Sequence, residues 1–184
     1  MNMLVLDKIT KTFDGHNVID SLSLTLDKGE VLSIYGEAAS GLSTLALLTS
    51  NREELDGGSI TLNDKPFGET APVSVVYPNT ALFGHLSLIE NYRSCLRNKG
   101  ISDEEKENII SDVLKRLQLD IVSAGKPDEL TSGQYLRGVI GKVLLQQPEI
   151  LVLDDALTKV DGKTRTTFWK EVRKIAKAFD IGIL

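Results

Sequence analysis

Hydrophobic and polar residues are arranged along the chain in a way that predicts strands in its first third. Short apolar runs are separated there by turns rich in glycine and aspartate, and leucines at positions 22, 24 and 26 alternate with Ser23 and Thr25. A period of two is typical of a strand with one buried face in an antiparallel sheet. The predicted strands are residues 4–9, 22–26, 31–34, 59–62 and 74–77, and Asp56-Gly57-Gly58 is predicted to be a turn.

The middle and the end of the chain show helical spacing instead. Ser102 and Glu105 have the spacing of a capping box, and five apolar residues between 109 and 117 then share one helical face. Ser132 is predicted to cap a second helix, and a last helix carries an apolar stripe that starts at Phe168. The fully apolar run 150–153 between these helices is typical of a strand buried in a parallel sheet.

One loop follows the order of a phosphate-binding loop, namely a strand, two glycines and a helix. Gly36 is followed by four residues, Gly41, Leu42 and Ser43, whereas the pattern for such loops is G-x-x-x-x-G-K-[ST]. The glycines let backbone N–H groups converge on an anion, and the helix N-terminus adds partial positive charge. Leu42 replaces the lysine, and one lost hydrogen bond to a charged group costs roughly 1.5–3 kcal/mol. Ala39 stands where many such loops carry a further glycine, which restricts the turn. By itself this loop leaves the question open, because strand–turn–helix units recur in α/β proteins that bind no nucleotide.

Composition argues against a nucleic-acid-binding, disulfide-rich, membrane-spanning or secreted protein. The 184 residues suit one domain, with room for a small inserted subdomain, and a net charge of -5 argues against a dedicated nucleic-acid surface. The single cysteine, Cys95, excludes an internal disulfide framework. No apolar run approaches the ~18 residues of a membrane span, and the first residues lack a basic segment typical of a signal peptide. We therefore expect a cytoplasmic protein without bound nucleic acid.

Four further segments, in order, resemble the nucleotide-binding domain of ATP-binding cassette (ABC) proteins. Residues 130–134, with Arg137 after them, are similar to the signature L-S-G-G-Q-x-x-R. Residues 150–155 are similar to the Walker B strand and its carboxylates, residues 77–91 to the Q-loop segment, and residues 158–161 to the D-loop. The resemblance covers nearly the whole chain.

The resemblance implies an α/β protein with the P-loop NTPase fold of ABC-cassette type. The expected core is a mixed sheet with an antiparallel β portion, formed by residues 1–79 and 134–184, with a helical subdomain inserted at 80–133. The implied cofactors are ATP and Mg²⁺, with Ser43 and Asp154 on the metal and Asp155 as the catalytic carboxylate. The implied nucleotide-binding residues are Phe13, Gly36, Glu37, Ala38, Ala39, Ser40, Gly41, Leu42, Ser43, Thr44, Thr131, Ser132, Gly133 and Gln134.

The family pairs two cassettes head to tail, so a second cassette, identical or different, and a transmembrane transporter subunit are the implied partners. These partners would place the chain on the cytoplasmic face of a membrane. Several bland alternatives stay open from the residues alone: Phe13 as a core residue, Arg137 as a surface charge, and Asp154-Asp155 as a helix cap and a solvated acid.

The departures from the family pattern predict a weakened site. Leu42, Pro78 and Asp155 stand where the family has Lys, Gln and Glu, Ala156 replaces the usual Pro, and the switch histidine is expected on a strand beyond residue 184. Hydrolysis is therefore expected to be low or absent. Three hypotheses follow: a degenerate transporter subunit whose signature motif completes the site of an intact partner, a regulatory or interaction module that has lost nucleotide chemistry, and a truncated piece of a longer protein.

Overall fold

A computed structural model of the chain describes residues 3–68, 71–77, 79–154 and 162–184, with the side chains of 162–167 outside that description. Four features named above lie outside the described residues: Pro78, the predicted catalytic Asp155, Ala156 and the predicted D-loop at 158–161. The strands are β1 (Leu4–Phe13), β2 (His16–Leu26), β3 (Gly57–Leu62), β4 (Lys65–Pro66), β5 (Val73–Val76), β6 (Ile150–Leu153) and β7 (Gly182–Ile183). The helices are α1 (Leu42–Thr49), α2 (Leu88–Leu96), α3 (Asp103–Arg116), α4 (Ser132–Leu144) and α5 (Gly162–Phe179), with a 3₁₀ turn at Pro127–Glu129.

The first third of the chain forms an antiparallel sheet with the strand order β2-β1-β3-β4. Leu24 and Leu26 pair with Leu6 and Leu4, which confirms the antiparallel strand predicted from the alternation of leucines. The predicted turn at Asp56-Gly57-Gly58 is wrong, because β3 already begins at Gly57. Gly58 has φ +79, and a Cβ there would lie 2.4 Å from the Lys8 carbonyl oxygen, so glycine is needed where β3 pairs irregularly with β1.

The buried strand predicted at 150–153 is confirmed as β6, the middle strand of a parallel sheet with the order β5-β6-β7. Its side chains alternate between two hydrophobic clusters. Ile150 and Val152 pack into the cluster beneath the antiparallel sheet and α1, whereas Leu151 packs into the cluster formed by the helices. Because both faces of β6 are buried, its four residues are all apolar.

The strand predicted at residues 31–34 is wrong as a regular element. Only Val31 pairs, as an isolated parallel bridge to Ile183, and the Leu32 amide donates to the Ile183 carbonyl at 2.9 Å. β7 covers Gly182–Ile183, so within the described residues it gives the segment no further ladder beyond that point. Ile34 and Tyr35, which follow this bridge along the chain, are consequently exposed.

The helical core joins α2, α3, α4 and α5. Ser102 caps α3 by accepting a hydrogen bond from the Glu105 amide at 3.2 Å, which confirms one of the two hydrogen bonds of the predicted capping box. Helices α2 and α3 lie inside the predicted subdomain at 80–133, but their cluster also contains α5 residues such as Phe168 and Val172. The subdomain boundary therefore stays a prediction. No helix in the described part of the chain has the length and hydropathy needed to cross a membrane.

Candidate nucleotide site

The loop at residues 36–44 wraps around the start of α1. Gly41 immediately precedes this helix with φ +85, and a Cβ on it would lie 2.8 Å from the Val18 carbonyl oxygen. The Leu45 amide donates to the Gly41 carbonyl at 2.8 Å, which is the first hydrogen bond of the helix. The amides of the preceding residues therefore have no partner within the helix, and no side chain in the described part of the chain caps this helix start. They form the kind of N-terminus that holds a phosphate.

The interior of the loop is tightly turned. A Cβ on Gly36 would lie 2.2 Å from Ser40 Oγ, so this position requires glycine. The Ser40 amide donates to the Glu37 carbonyl at 3.1 Å. Ala39 has φ 65, in the left-handed region that glycine adopts freely and alanine does not. The turn is formed with an alanine at a position that favours glycine, as the sequence indicated.

A cavity of about 880 Å³ opens beside this loop, and its size suits a nucleotide. Every predicted loop residue lines it: Gly36, Glu37, Ala38, Ala39, Ser40, Gly41, Leu42, Ser43 and Thr44. Asp154, directly after β6, lines the same cavity, so the fold brings together the loop and the carboxylate that the sequence separates by more than a hundred positions. Asp155 lies outside the described residues.

These residues fit a magnesium nucleotide, with one exception. Backbone amides suit phosphate oxygens, while the Ser43 hydroxyl and the Asp154 carboxylate are oxygen ligands of the type that Mg²⁺ takes alongside substrate phosphates. Among the described residues, no group of three or more His, Cys, Asp or Glu side chains could hold a metal by itself. The exception is charge: the described residues lining the cavity include no lysine, arginine or histidine.

Several residues of the cavity were not predicted as site residues from the sequence. Val18 lines it from β2, and Trp169 lines it from α5 beside Phe168. Phe168 belongs to the apolar stripe of α5, and that periodicity indicates a core face without showing that part of this face borders a cavity. The one sequence feature that could have drawn attention to this part of α5 is that Trp169 is the only tryptophan of the chain.

The signature-like residues lie elsewhere, at the start of α4, and do not line this cavity. The helix cap is Thr131 and not the predicted Ser132. Thr131 Oγ1 accepts from the Gln134 amide at 3.3 Å, and Gln134 Oε1 accepts from the Thr131 amide at 2.9 Å. A reciprocal pair of this kind is the capping box, which the residue pattern Thr-x-x-Gln encodes as well as Ser-x-x-Glu does. Ser132 and Gly133 begin the first turn of α4.

Arg137, one turn further along α4, is not a simple surface charge. Its guanidinium nitrogen Nη1 donates to Glu171 Oε2 at 3.1 Å, and only about a fifth of either side chain is exposed. A hydrogen bond from Lys174, together with the charge of Arg137, lowers the pKa of Glu171. Arg137 Nε is buried and has no hydrogen-bond partner among the described residues. The pair connects the signature-bearing helix α4 to α5.

Phe13 lies at the end of β1, next to the hairpin turn, and does not line the cavity. Its side chain is 41% exposed, so the alternative that it is a core residue is wrong. The Lys11 ammonium lies 5.2 Å from the centre of its ring and 2.8 Å from a Glu53 carboxylate oxygen. The hydrogen bond to Glu53 raises the pKa of Lys11, so the lysine stays charged beside the aromatic ring.

Comparisons with known proteins point to the same family as the motifs of the sequence. The family model described as ABC transporter matches residues 19–158. The spermidine/putrescine import ATP-binding protein PotA of Marinobacter nauticus is 32% identical over 183 residues, which span 97% of this chain and 49% of that protein. The sn-glycerol-3-phosphate import ATP-binding protein UgpC of Psychromonas ingrahamii is 29% identical over 182 residues, or 96% of this chain and 49% of that protein.

The solved structure of CbiO1 from Clostridium perfringens, part of the ABC transporter complex CbiONQ, superimposes with a TM-score of 0.86 at 22% identity. The match covers 99% of this chain and 76% of that structure, and it confirms the predicted cassette fold. The chain spans about half the length of the curated relatives it matches. Because the family model covers most of the chain and its loop and Walker B carboxylate line one cavity, the chain belongs to the ABC transporter family of ATP-binding proteins.

Proposed function

We propose that the chain is the ATP-binding subunit of an ABC import system and that it binds Mg-ATP in the cavity beside the loop 36–44. The observation that carries this proposal is the shared cavity, which joins the uncapped start of α1 to Asp154 at the end of β6. The relatives named above are ATP-binding proteins for the import of different solutes, so the proposal does not name the transported molecule.

Each residue has a role that follows from its chemistry. The amides of the loop hold the phosphates, and the Ser43 hydroxyl and the Asp154 carboxylate hold Mg²⁺, which would neutralise phosphate charge during phosphoryl transfer. Asp155 orients the attacking water, and Phe13, which is not part of the cavity lining, is proposed to contact the adenine. Leu42 contributes no charge to the transferring phosphoryl group, and Asp155 is one methylene shorter than Glu. We therefore expect hydrolysis to be slow or absent.

The proposed assembly is a head-to-tail pair of cassettes bound to a transmembrane subunit at the cytoplasmic face of the membrane. Residues Thr131, Ser132, Gly133 and Gln134 lie apart from the chain's own cavity, which supports a role at the nucleotide of the paired cassette. The proposed division is a core of residues 1–79 and 134–184, with a helical subdomain at 80–133. No nucleic-acid partner is proposed, because the chain has a net charge of -5.

A second candidate is a regulatory module that keeps the cassette fold without nucleotide chemistry. It is favoured by the lack of a basic side chain among the described residues of the cavity. In that case the chain would pair with an intact cassette without an ATP requirement of its own.

Calorimetry of Mg-ATP binding to the parent chain and to the Leu42→Lys variant tests the first candidate. Binding by the parent at micromolar concentration supports it, whereas binding only by the variant favours the regulatory module. Absence of binding in both refutes the site assignment. Analytical ultracentrifugation then measures whether the chain pairs with an intact cassette. Pairing that depends on ATP indicates a working subunit, whereas pairing without ATP indicates a regulatory module.

A further inference from the structure

We infer that the cavity binds a nucleotide at least tenfold more tightly as its complex with a divalent cation than as the free triphosphate, because the complex supplies the positive charge that the loop lacks. The inference rests on the proposed function and adds a cation preference to it. In a loop with a lysine, that side chain attracts the phosphates whether or not a metal is present. Here the cation would strengthen binding itself, before any reaction.

The first argument is the position of Leu42. It lines the cavity at the first residue of α1, and its Cδ1 lies 3.6 Å from the point where a Cβ on Gly36 would be. The side chain therefore lies over the loop that would hold the phosphates. It brings a methyl group to this region, so the only positive potential that the loop and helix supply comes from backbone amides. That potential amounts to about half an elementary charge at a helix N-terminus.

The second argument is the charge of the loop itself. Glu37 lines the cavity and lies within the phosphate-binding loop, one residue after Gly36. The described residues of the lining contain no lysine, arginine or histidine to offset its carboxylate. A free triphosphate would therefore meet an acidic side chain and only partial positive charges. The magnesium complex carries less negative charge and presents a cation to which carboxylate and hydroxyl oxygens are attractive.

The third argument is that the chain keeps its own oxygen donors for the cation. Ser43 and Asp154 line the same cavity as Leu42. The site therefore lacks the lysine of the family pattern but keeps the two oxygen-bearing residues that suit a bound divalent cation. The expected difference in affinity between the magnesium complex and free ATP is about ten- to hundredfold, the value of one charge-assisted hydrogen bond.

Trp169 gives a direct readout, because it is the only tryptophan of the chain and lines this cavity. ATP is titrated into the parent chain in excess MgCl₂ and, separately, in EDTA, with tryptophan fluorescence and calorimetry recorded on the same samples. We expect saturable binding with magnesium and at least tenfold weaker binding in EDTA. The Leu42→Lys variant is expected to bind in both conditions. The matched Leu42→Met variant changes the shape of the side chain without adding charge, so its affinity for ATP in EDTA should stay at least tenfold below its own affinity in magnesium.

The outcomes separate the two proposals. Equal affinity of the parent with magnesium and with EDTA overturns the cation preference and leaves the proposed ATP-binding function intact. Absence of binding in both conditions, by fluorescence and by calorimetry, overturns both. Glu37→Gln provides a second variant that does not depend on the folding of Leu42→Lys: it should strengthen binding in EDTA, and an unchanged affinity there would contradict the electrostatic argument.

Discussion

Replacement of Gly141 by alanine is predicted to destabilise the protein, although alanine is the better helix former. Gly141 lies in α4, the helix that begins with the signature-like residues, where it faces the fully buried Tyr92 of α2. A Cβ on Gly141 would lie 1.9 Å from the Tyr92 hydroxyl oxygen and 2.6 Å from Leu117 Cδ1. The Tyr92 hydroxyl donates to the Gly138 carbonyl at 3.2 Å and so has little freedom to turn away.

The magnitude follows from two opposing effects. Forcing a methyl group into a close-packed site costs about 1–3 kcal/mol, and a contact this short places the cost near the upper end. The gain in helix propensity from Gly to Ala is roughly 1 kcal/mol. We expect a net loss of about 2 kcal/mol, which for a chain of this size lowers the melting temperature by about 4–8 °C.

Urea denaturation followed by circular dichroism measures the change, with Gly138→Ala as the matched control in the same helix. A Cβ on Gly138 would lie 3.2 Å from the ends of two leucine side chains, so that variant should stay within about 1 kcal/mol of the parent. Tyr92→Phe removes the closest atom, and in that background Gly141→Ala should cost about 1 kcal/mol less. Equal stability of the two glycine variants, or no rescue by Tyr92→Phe, would refute the packing argument.

Three further predictions concern other parts of the molecule. Ala39→Gly should raise the free energy of unfolding by about 0.5–1 kcal/mol, because Ala39 has φ 65, which glycine adopts without strain. The matched control Ala38→Gly should lower the free energy of unfolding, because Ala38 has no positive φ. Urea denaturation of both variants measures the difference. Asn91 is fully buried and hydrogen-bonds to the backbone of residues 83–87. Asn91→Leu should therefore lower the free energy of unfolding by about 2–4 kcal/mol and speed hydrogen exchange of the amides in that segment. Unchanged protection of those amides would contradict this prediction. The lowered pKa of Glu171 means that its ion pairs stabilise the fold above the ordinary pKa of glutamate and are lost as pH falls through the lowered value. Glu171→Gln should therefore flatten the loss of stability in acid, and a parallel pH profile would be evidence against the pairing.

Local patterns in the sequence were sufficient to recognise the family, from the order of its motifs along the chain, and to identify the loop 36–44. Each of these depends on residues that are neighbours in sequence: glycines that permit a turn, a polar cap before an apolar stripe, or a run of β-branched and aliphatic residues. The position of Asp154 at the carboxyl end of a buried strand was likewise readable, because such strand ends are where α/β sheets carry ligands. Even the unfavourable Ala39 could be identified from the sequence.

The tertiary structure decided what depends on residues far apart in sequence. The segment 31–34 has the composition of a strand but forms only one bridge, because strand formation needs a partner along its whole length, and propensity does not supply one. Arg137 pairs with Glu171 thirty-four positions away, and Trp169 comes to line the cavity from the opposite end of the chain. The sequence by itself therefore indicated the family of the chain, the phosphate-binding loop and Asp154, because each depends on residues that are neighbours in sequence. Only the tertiary structure decided that Trp169 borders the same cavity and that Arg137 pairs with Glu171, because those residues are brought together from distant positions.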